Sequence, residues 1–113
     1  MALTTQRLDD AVSVAAQLAP EAMAEAAAAG FRSVINNRPD FEAGATQPTN
    51  ESMAAAAAAA GLEYAFLPVA PSVQTADEVA CFAELMRRLP KPILAFCRSG
   101  TRSGKLWRAA TGQ

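Results

Sequence analysis

The sequence predicts an α/β domain: a small, mainly parallel four-stranded sheet flanked by helices, with an active loop between the last strand and the last helix. Three observations predict it. Short apolar runs alternate with longer stretches of helical composition, the order expected of βαβ units. The run Ile93–Phe96 is wholly apolar, as a central parallel strand is when helices cover both its faces. The residues that follow, Cys97-Arg98-Ser99-Gly100-Thr101-Arg102-Ser103, place a thiol, a turn glycine and a guanidinium where strand gives way to helix.

Taken in order, Val12–Ala15 is a weak first strand. Pro20 suits the first turn of a helix, with Glu21 near its positive end, and Gly30 ends that helix after Ala26–Ala29. Phe31–Asn36 is a second strand, followed by a polar loop from Asn37 to Pro48 that carries Arg38, Pro39, Asp40, Glu42 and Gly44. Thr49 or Asn50 caps a helix with the body Met53–Ala60, closed by Gly61. Its alanine run is ordinary helix composition, since alanine has the best helix propensity and lets a helix approach a sheet closely. Glu63–Val69 is the third strand, stopped by Pro68 and Pro71. Thr75 caps a helix over Ala76–Leu89, with Asp77 and Glu78 in its first turn and Arg87 and Arg88 in its last. Pro90 and Pro92 bracket the exit to the fourth strand, and Ser103–Thr111 is the last helix.

Composition narrows the function. A chain of 113 residues with 51% hydrophobic and 19% charged residues is one globular domain, residues 1–113. The net charge of −1 argues against a nucleic-acid or polybasic membrane surface, so any partner electrostatics are local. Two cysteines are too few for a disulfide-stapled secreted fold, and neither a leader peptide nor a bilayer-length apolar run is evident. A reducing, cytoplasmic compartment is the expectation. The absence of histidine excludes His-based metal sites and any Cys-His or Ser-His pair; no metal or cofactor is expected.

The stretch from Ile93 to Ser103 carries the chemistry. A buried strand delivers Cys97 to the carboxyl edge of the sheet, where open α/β folds bind their ligands. A tight loop through Gly100 can turn successive N–H groups inward as an anion nest. The helix dipole adds partial positive charge, and Arg102 supplies a planar fork for an oxyanion. The same features favour the thiolate of a cysteine placed there. Ser99, Thr101 and Ser103 add hydroxyls, with Ser103 placed to donate to the Cys97 sulfur. Arg98 alternates within the loop and is expected to face outward. Cys81, between Ala80 and Phe82 in mid-helix, reads as a buried, inert thiol.

The loop resembles two known active loops: that of single-domain rhodaneses, which carry a cysteine persulfide, and that of cysteine phosphatases, in which a thiolate attacks phosphorus under an arginine. Over nearly the whole chain the closer resemblance is to the phosphatase-like domain of bacterial β-lactamase-hydrolase-like proteins. The residues that carry it are Gln17-Leu18, Gly30-Phe31-Arg32-Ser33-Val34-Ile35-Asn36-Asn37-Arg38-Pro39-Asp40, Gln47-Pro48, Gly61-Leu62-Glu63-Tyr64, Pro68-Val69 and the loop through Trp107. The resemblance implies a cysteine-phosphatase-like fold. Some members of that family are fused to a metallo-β-lactamase-like domain, which the resemblance suggests as a partner.

Two departures from the phosphatase pattern matter. Four residues separate Cys97 from Arg102 where phosphatases have five, and Ser103 takes the phosphatase-arginine position; rhodanese loops are shorter in the same way. The loop around Pro68–Gln74, where dual-specificity phosphatases hold their general acid, has no carboxylate. Asp77 is the nearest along the chain, and Asp40 or Glu42 beside Arg38 can reach the same sheet edge.

Three functions follow from this reading. The first is a cysteine-dependent phosphatase-like hydrolase in which Cys97 attacks, Arg102 stabilises the oxyanion and Asp40 serves as acid. Arg98, Ser99, Gly100, Thr101, Ser103 and Arg38 would bind the substrate anion. The second is a sulfurtransferase that carries sulfane sulfur as a Cys97 persulfide. The third is a non-catalytic oxyanion-binding module. The small anionic substrate is accordingly a phosphate ester or a sulfane-sulfur donor.

Overall fold

The protein is described here by a computed structural model over residues 3–112. Its centre is β5, Ile93–Phe96, whose four residues are all buried. It runs parallel to β2, Val12–Ala15, on one side and to β3, Ser33–Asn36, on the other. β4, Glu63–Phe66, extends the sheet beyond β3, and β1, Gln6–Arg7, pairs antiparallel with β2 at the opposite edge. The sheet therefore has five strands in the order β1-β2-β5-β3-β4 rather than the four expected. The extra strand is two residues of polar sequence, too short to show an alternating pattern. A side chain makes it: Asp9 Oδ1 accepts the N–H groups of Ala11 and Val12 at 2.8 Å each and turns the chain back onto β2.

The period-2 alternation of β5 divides the core. Leu94 and Phe96 face one side, with Ala15 and Val34, against Met23 and Ala26 of α1 (Ala22–Ala28) and Met53 and Ala57 of α2 (Asn50–Ala59). Ile93 and Ala95 face the other, with Val12, Val14 and Ile35, against Phe82 of α3 (Ala76–Arg88) and Leu106 of α4 (Thr101–Thr111). Among the described residues no helix is long and apolar enough to cross a membrane.

Local chemistry sets the boundaries and shifts some of those expected. Thr49, not Asn50, caps α2, accepting the Ser52 amide at 3.1 Å. Thr75 and Glu78 form a reciprocal capping box on α3. The second strand starts at Ser33 rather than Phe31, because the Phe31 amide is spent on the Ala26 carbonyl in the turn that closes α1. The third strand ends at Phe66: the Leu67 amide still reaches the Asn36 carbonyl at 2.9 Å, but the Val69 amide meets the Asn37 carbonyl at 3.0 Å, one residue out of register. Cys81 is exposed on α3, which corrects its reading as a buried thiol. Phe82 takes the inward position beside it.

Candidate active site

The register sets the site. Phe96 lies opposite both Ala15 and Asn36, so the next residue, Cys97, emerges at the carboxyl edge between two flanking strands. Its amide donates to the Ala15 carbonyl at 3.4 Å, Gln17 N–H holds the Arg98 carbonyl at 3.2 Å, and the Asn37 amide reaches the Phe96 carbonyl at 2.8 Å. Cys97 is 1% exposed.

The turn that follows is short. Gly100 has φ +92° and already caps α4, which begins at Thr101, two residues earlier than expected. A non-glycine residue in this left-handed region is disfavoured. The conformation brings the Gly100 amide to 3.1 Å from Cys97 Sγ, a donor aimed at the sulfur from the positive end of an 11-residue helix. Thr101, Arg102 and Ser103 consequently lie on the helix rather than in the loop.

Arg102 is buried and its guanidinium is tightly held. Nη1 donates to Glu42 Oε2 at 2.9 Å and to the Val69 carbonyl at 3.0 Å; Nη2 donates to Glu42 Oε1 at 2.9 Å. A guanidinium carries five N–H donors in a fixed plane. Glu42 and Val69 consume three of them, and the two left, Nε–H and the second Nη2–H, lie parallel along one edge. That edge is the fork that a planar or tetrahedral oxyanion accepts.

Glu42 is the organising acid. Its Oε1 also accepts Arg38 Nε at 2.9 Å, so one carboxylate binds two mostly buried arginines. Its side chain is only 20% exposed. The hydrogen bonds from Arg102 hold its carboxyl below the ordinary value of 4.5; burial opposes this and Arg38 reinforces it. The sequence named Glu42 as reaching this edge but favoured Asp40, and the structure separates the two. The Asp40 carboxylate accepts the Asn50 amide at 2.7 Å and braces the start of α2, so it does not join the arginine cluster. Asp77 is exposed in the first turn of α3.

The other expected residues divide. Arg38 lies behind Glu42, with Nη1 on Gln17 Oε1 at 3.2 Å, and supports the cluster rather than facing a cleft. Ser103 does not donate to the Cys97 sulfur. Its Oγ donates to Asn37 Oδ1 at 2.8 Å, and Asn37 Nδ2 donates to the Leu67 carbonyl at 3.0 Å, linking α4 to β3. Arg98 and Ser99 are exposed, and with Thr101, Arg102, Lys105 and Ser72 they line a cleft of about 300 Å³. Lys105 and Gln74, whose Nε2 donates to the Arg102 carbonyl at 2.9 Å, were missed by the sequence reading. Only the i+3 spacing of Lys105 from Arg102 along the helix hinted at a shared face.

The family model of the beta-lactamase hydrolase-like protein, phosphatase-like domain, matches residues 5–113. The chain belongs to this family. A beta-lactamase hydrolase-like protein of Agrobacterium fabrum is 35% identical over 101 residues, covering 89% of this chain and 23% of the relative. The chain thus spans less than a quarter of that relative's length. Among solved structures, a candidate phosphatase of Neisseria meningitidis Z2491 is 31% identical, with a TM-score of 0.85 over 96% of this chain and 78% of that one. The core catalytic domain of a PP-IP phosphatase from S. cerevisiae shares the fold at 13% identity, with a TM-score of 0.70 over 90% of this chain and 60% of that one. The fold of this phosphatase-like domain is accordingly that of the cysteine phosphatases.

Proposed function

We propose that the domain is a cysteine-dependent phosphatase-like hydrolase of small phosphorylated substrates. The observation that carries it is the Gly100 amide 3.1 Å from Cys97 Sγ at the head of the helix that bears Arg102. That amide and the helix N-terminus both face the sulfur, which is the nucleophile in this reading. In this reading Cys97 Sγ forms a bond to phosphorus as the bond to the leaving oxygen breaks. The free edge of Arg102 stabilises the equatorial oxygens. Water then hydrolyses the phosphocysteine and restores the thiolate. A reducing cytoplasmic setting suits a mechanism that depends on a free thiol.

Purified protein and its Cys97→Ser variant are to be assayed with p-nitrophenyl phosphate and, separately, with thiosulfate plus cyanide. The expected result is phosphate release that vanishes in the variant and is blocked by vanadate. Thiocyanate release, with a cyanide-removable mass gain of one sulfur atom, would replace the hydrolase reading by sulfur transfer, towards which the four-residue spacing between Cys97 and Arg102 leans. Binding of phosphate without turnover of either substrate would leave an oxyanion-binding module.

A further inference from the structure

Two hollows border the loop on opposite flanks, and their charges differ. The larger, about 760 Å³, is mainly apolar; its charged lining residues are Glu21 and Glu25, and no arginine or lysine lines it. An anion is repelled there. The smaller, about 300 Å³, is lined by Arg98, Arg102 and Lys105 with hydroxyls from Ser72, Ser99 and Thr101, and contains no carboxylate.

The cations of the smaller cleft are available. Among the described residues the ion pairs engage Arg7, Arg38, Arg87 and Arg102, while Arg98 and Lys105 have no acidic partner. Arg102, whose side chain is 8% exposed, lines the same cleft with two donors unspent on Glu42 and Val69. Three cations on one hollow of a chain with net charge −1 is a local concentration of positive charge. Glu42 already offsets the charge of Arg102, so Arg98 and Lys105 are the cations of the cleft that no carboxylate compensates.

The leaving group bears on the same point. An alkoxide needs a proton as it departs, and a positioned acid supplies roughly 10²–10⁴-fold in rate. The cleft lining offers neither carboxylate nor imidazole. It offers positive charge, which stabilises a departing anion.

We propose that this cleft binds a second anionic phosphoryl group, and that the substrate is a polyanion whose leaving group is itself phosphorylated. The inference rests on the hydrolase reading above and names its substrate class. Cys97 Sγ bonds to the terminal phosphorus, the bridging P–O bond breaks, and its electron pair leaves with the second phosphoryl group towards Arg98 and Lys105. Water then attacks the phosphocysteine, releasing orthophosphate and the Cys97 thiolate, so one water is consumed per turnover.

Tripolyphosphate and orthophosphate are the probes, titrated calorimetrically into Cys97→Ser protein, which cannot turn over. Tripolyphosphate is expected to bind at least tenfold more tightly, with most of that advantage lost on adding Arg98→Glu or Lys105→Glu. Lys91→Glu makes the same charge change at the amino end of β5, away from the cleft, and is expected to keep it. Equal affinity for the two probes, or equal losses in all three variants, overturns the inference. A second arm compares turnover by the native protein. Hydrolysis of p-nitrophenyl phosphate with no preference for tripolyphosphate overturns the inference and leaves the hydrolase reading standing. Tight, Lys105-dependent tripolyphosphate binding without turnover of either substrate supports the cleft as a polyanion site and overturns the hydrolase.

Discussion

Asp40 and Glu42 stand two positions apart on one polar loop and do different work. Asp40 meets a backbone amide at the start of α2, while Glu42 meets the forks of Arg102 and Arg38. Between them Phe41 holds φ +63°, a conformation that costs a non-glycine residue of order 1–3 kcal/mol and that turns consecutive side chains to different partners. Glu42→Gln keeps the shape but sets an amide N–H₂ against guanidinium donors. It is expected to destabilise the fold by about 1–3 kcal/mol at pH 7 and to lower turnover more than a surface change would. The pH dependence follows from the lowered Glu42 value. The unfolded chain takes up the proton first, so the stabilisation is complete above pH 4.5 and is lost as pH falls from there towards the lower folded value. Thermal midpoints of both proteins between pH 3 and 7 check this; a difference that does not shrink in acid would refute it.

At the scale of elements, the loop between β3 and α2 is a braced arm rather than the slack polar connection its composition suggests. Gln47 accepts the Ala43 amide at 3.0 Å and donates to the Pro39 carbonyl at 2.8 Å, and Asn36 Oδ1 accepts the Arg38 amide at 2.9 Å. Tyr64 of β4 closes the far end, its hydroxyl donating to Asn50 Oδ1 at 2.7 Å and accepting Asn36 Nδ2 at 3.0 Å. Tyr64→Phe leaves both asparagines short of a partner and is expected to cost about 1–3 kcal/mol in urea unfolding at pH 7. Burial pushes the Tyr64 phenol up to about 12 from 10.0. Its neutral form is thus favoured in the fold, and the stabilisation is complete below pH 10 and lost as pH rises towards 12. The variant lacks this alkaline loss, which a stability profile from pH 8 to 11 would register.

For the whole molecule, the sheet is a partition with a separate apolar cluster on each face, and the site sits where its central strand ends. Phe82 is fully buried in the α3–α4 cluster and lines neither hollow. Phe82→Ala is expected to cost about 3–5 kcal/mol, a large share of the stability of a domain this size. Catalysis per folded molecule is expected to persist. Parallel denaturation and low-temperature activity assays separate the two effects.

Periodicity and punctuation made most of this fold legible. The apolar run at Ile93–Phe96, the caps at Thr49 and Thr75 and the glycines at 30, 61 and 100 are local signals, because caps and turns act within a few residues of themselves. They determined the α/β class, the helices and the position of Cys97 at a strand-to-helix turn. Side-chain pairing over distance decided the rest. Glu42 and Arg102 are 60 residues apart, and the links that carry Ser103 to Asn37 and Gln74 to Arg102 span 66 and 28. A carboxylate in a loop looks the same in sequence whether it caps a helix or grips a guanidinium. Its role is fixed only when the register of β3 against β5 and the strained turn at Phe41 bring one partner, and not the other, within reach.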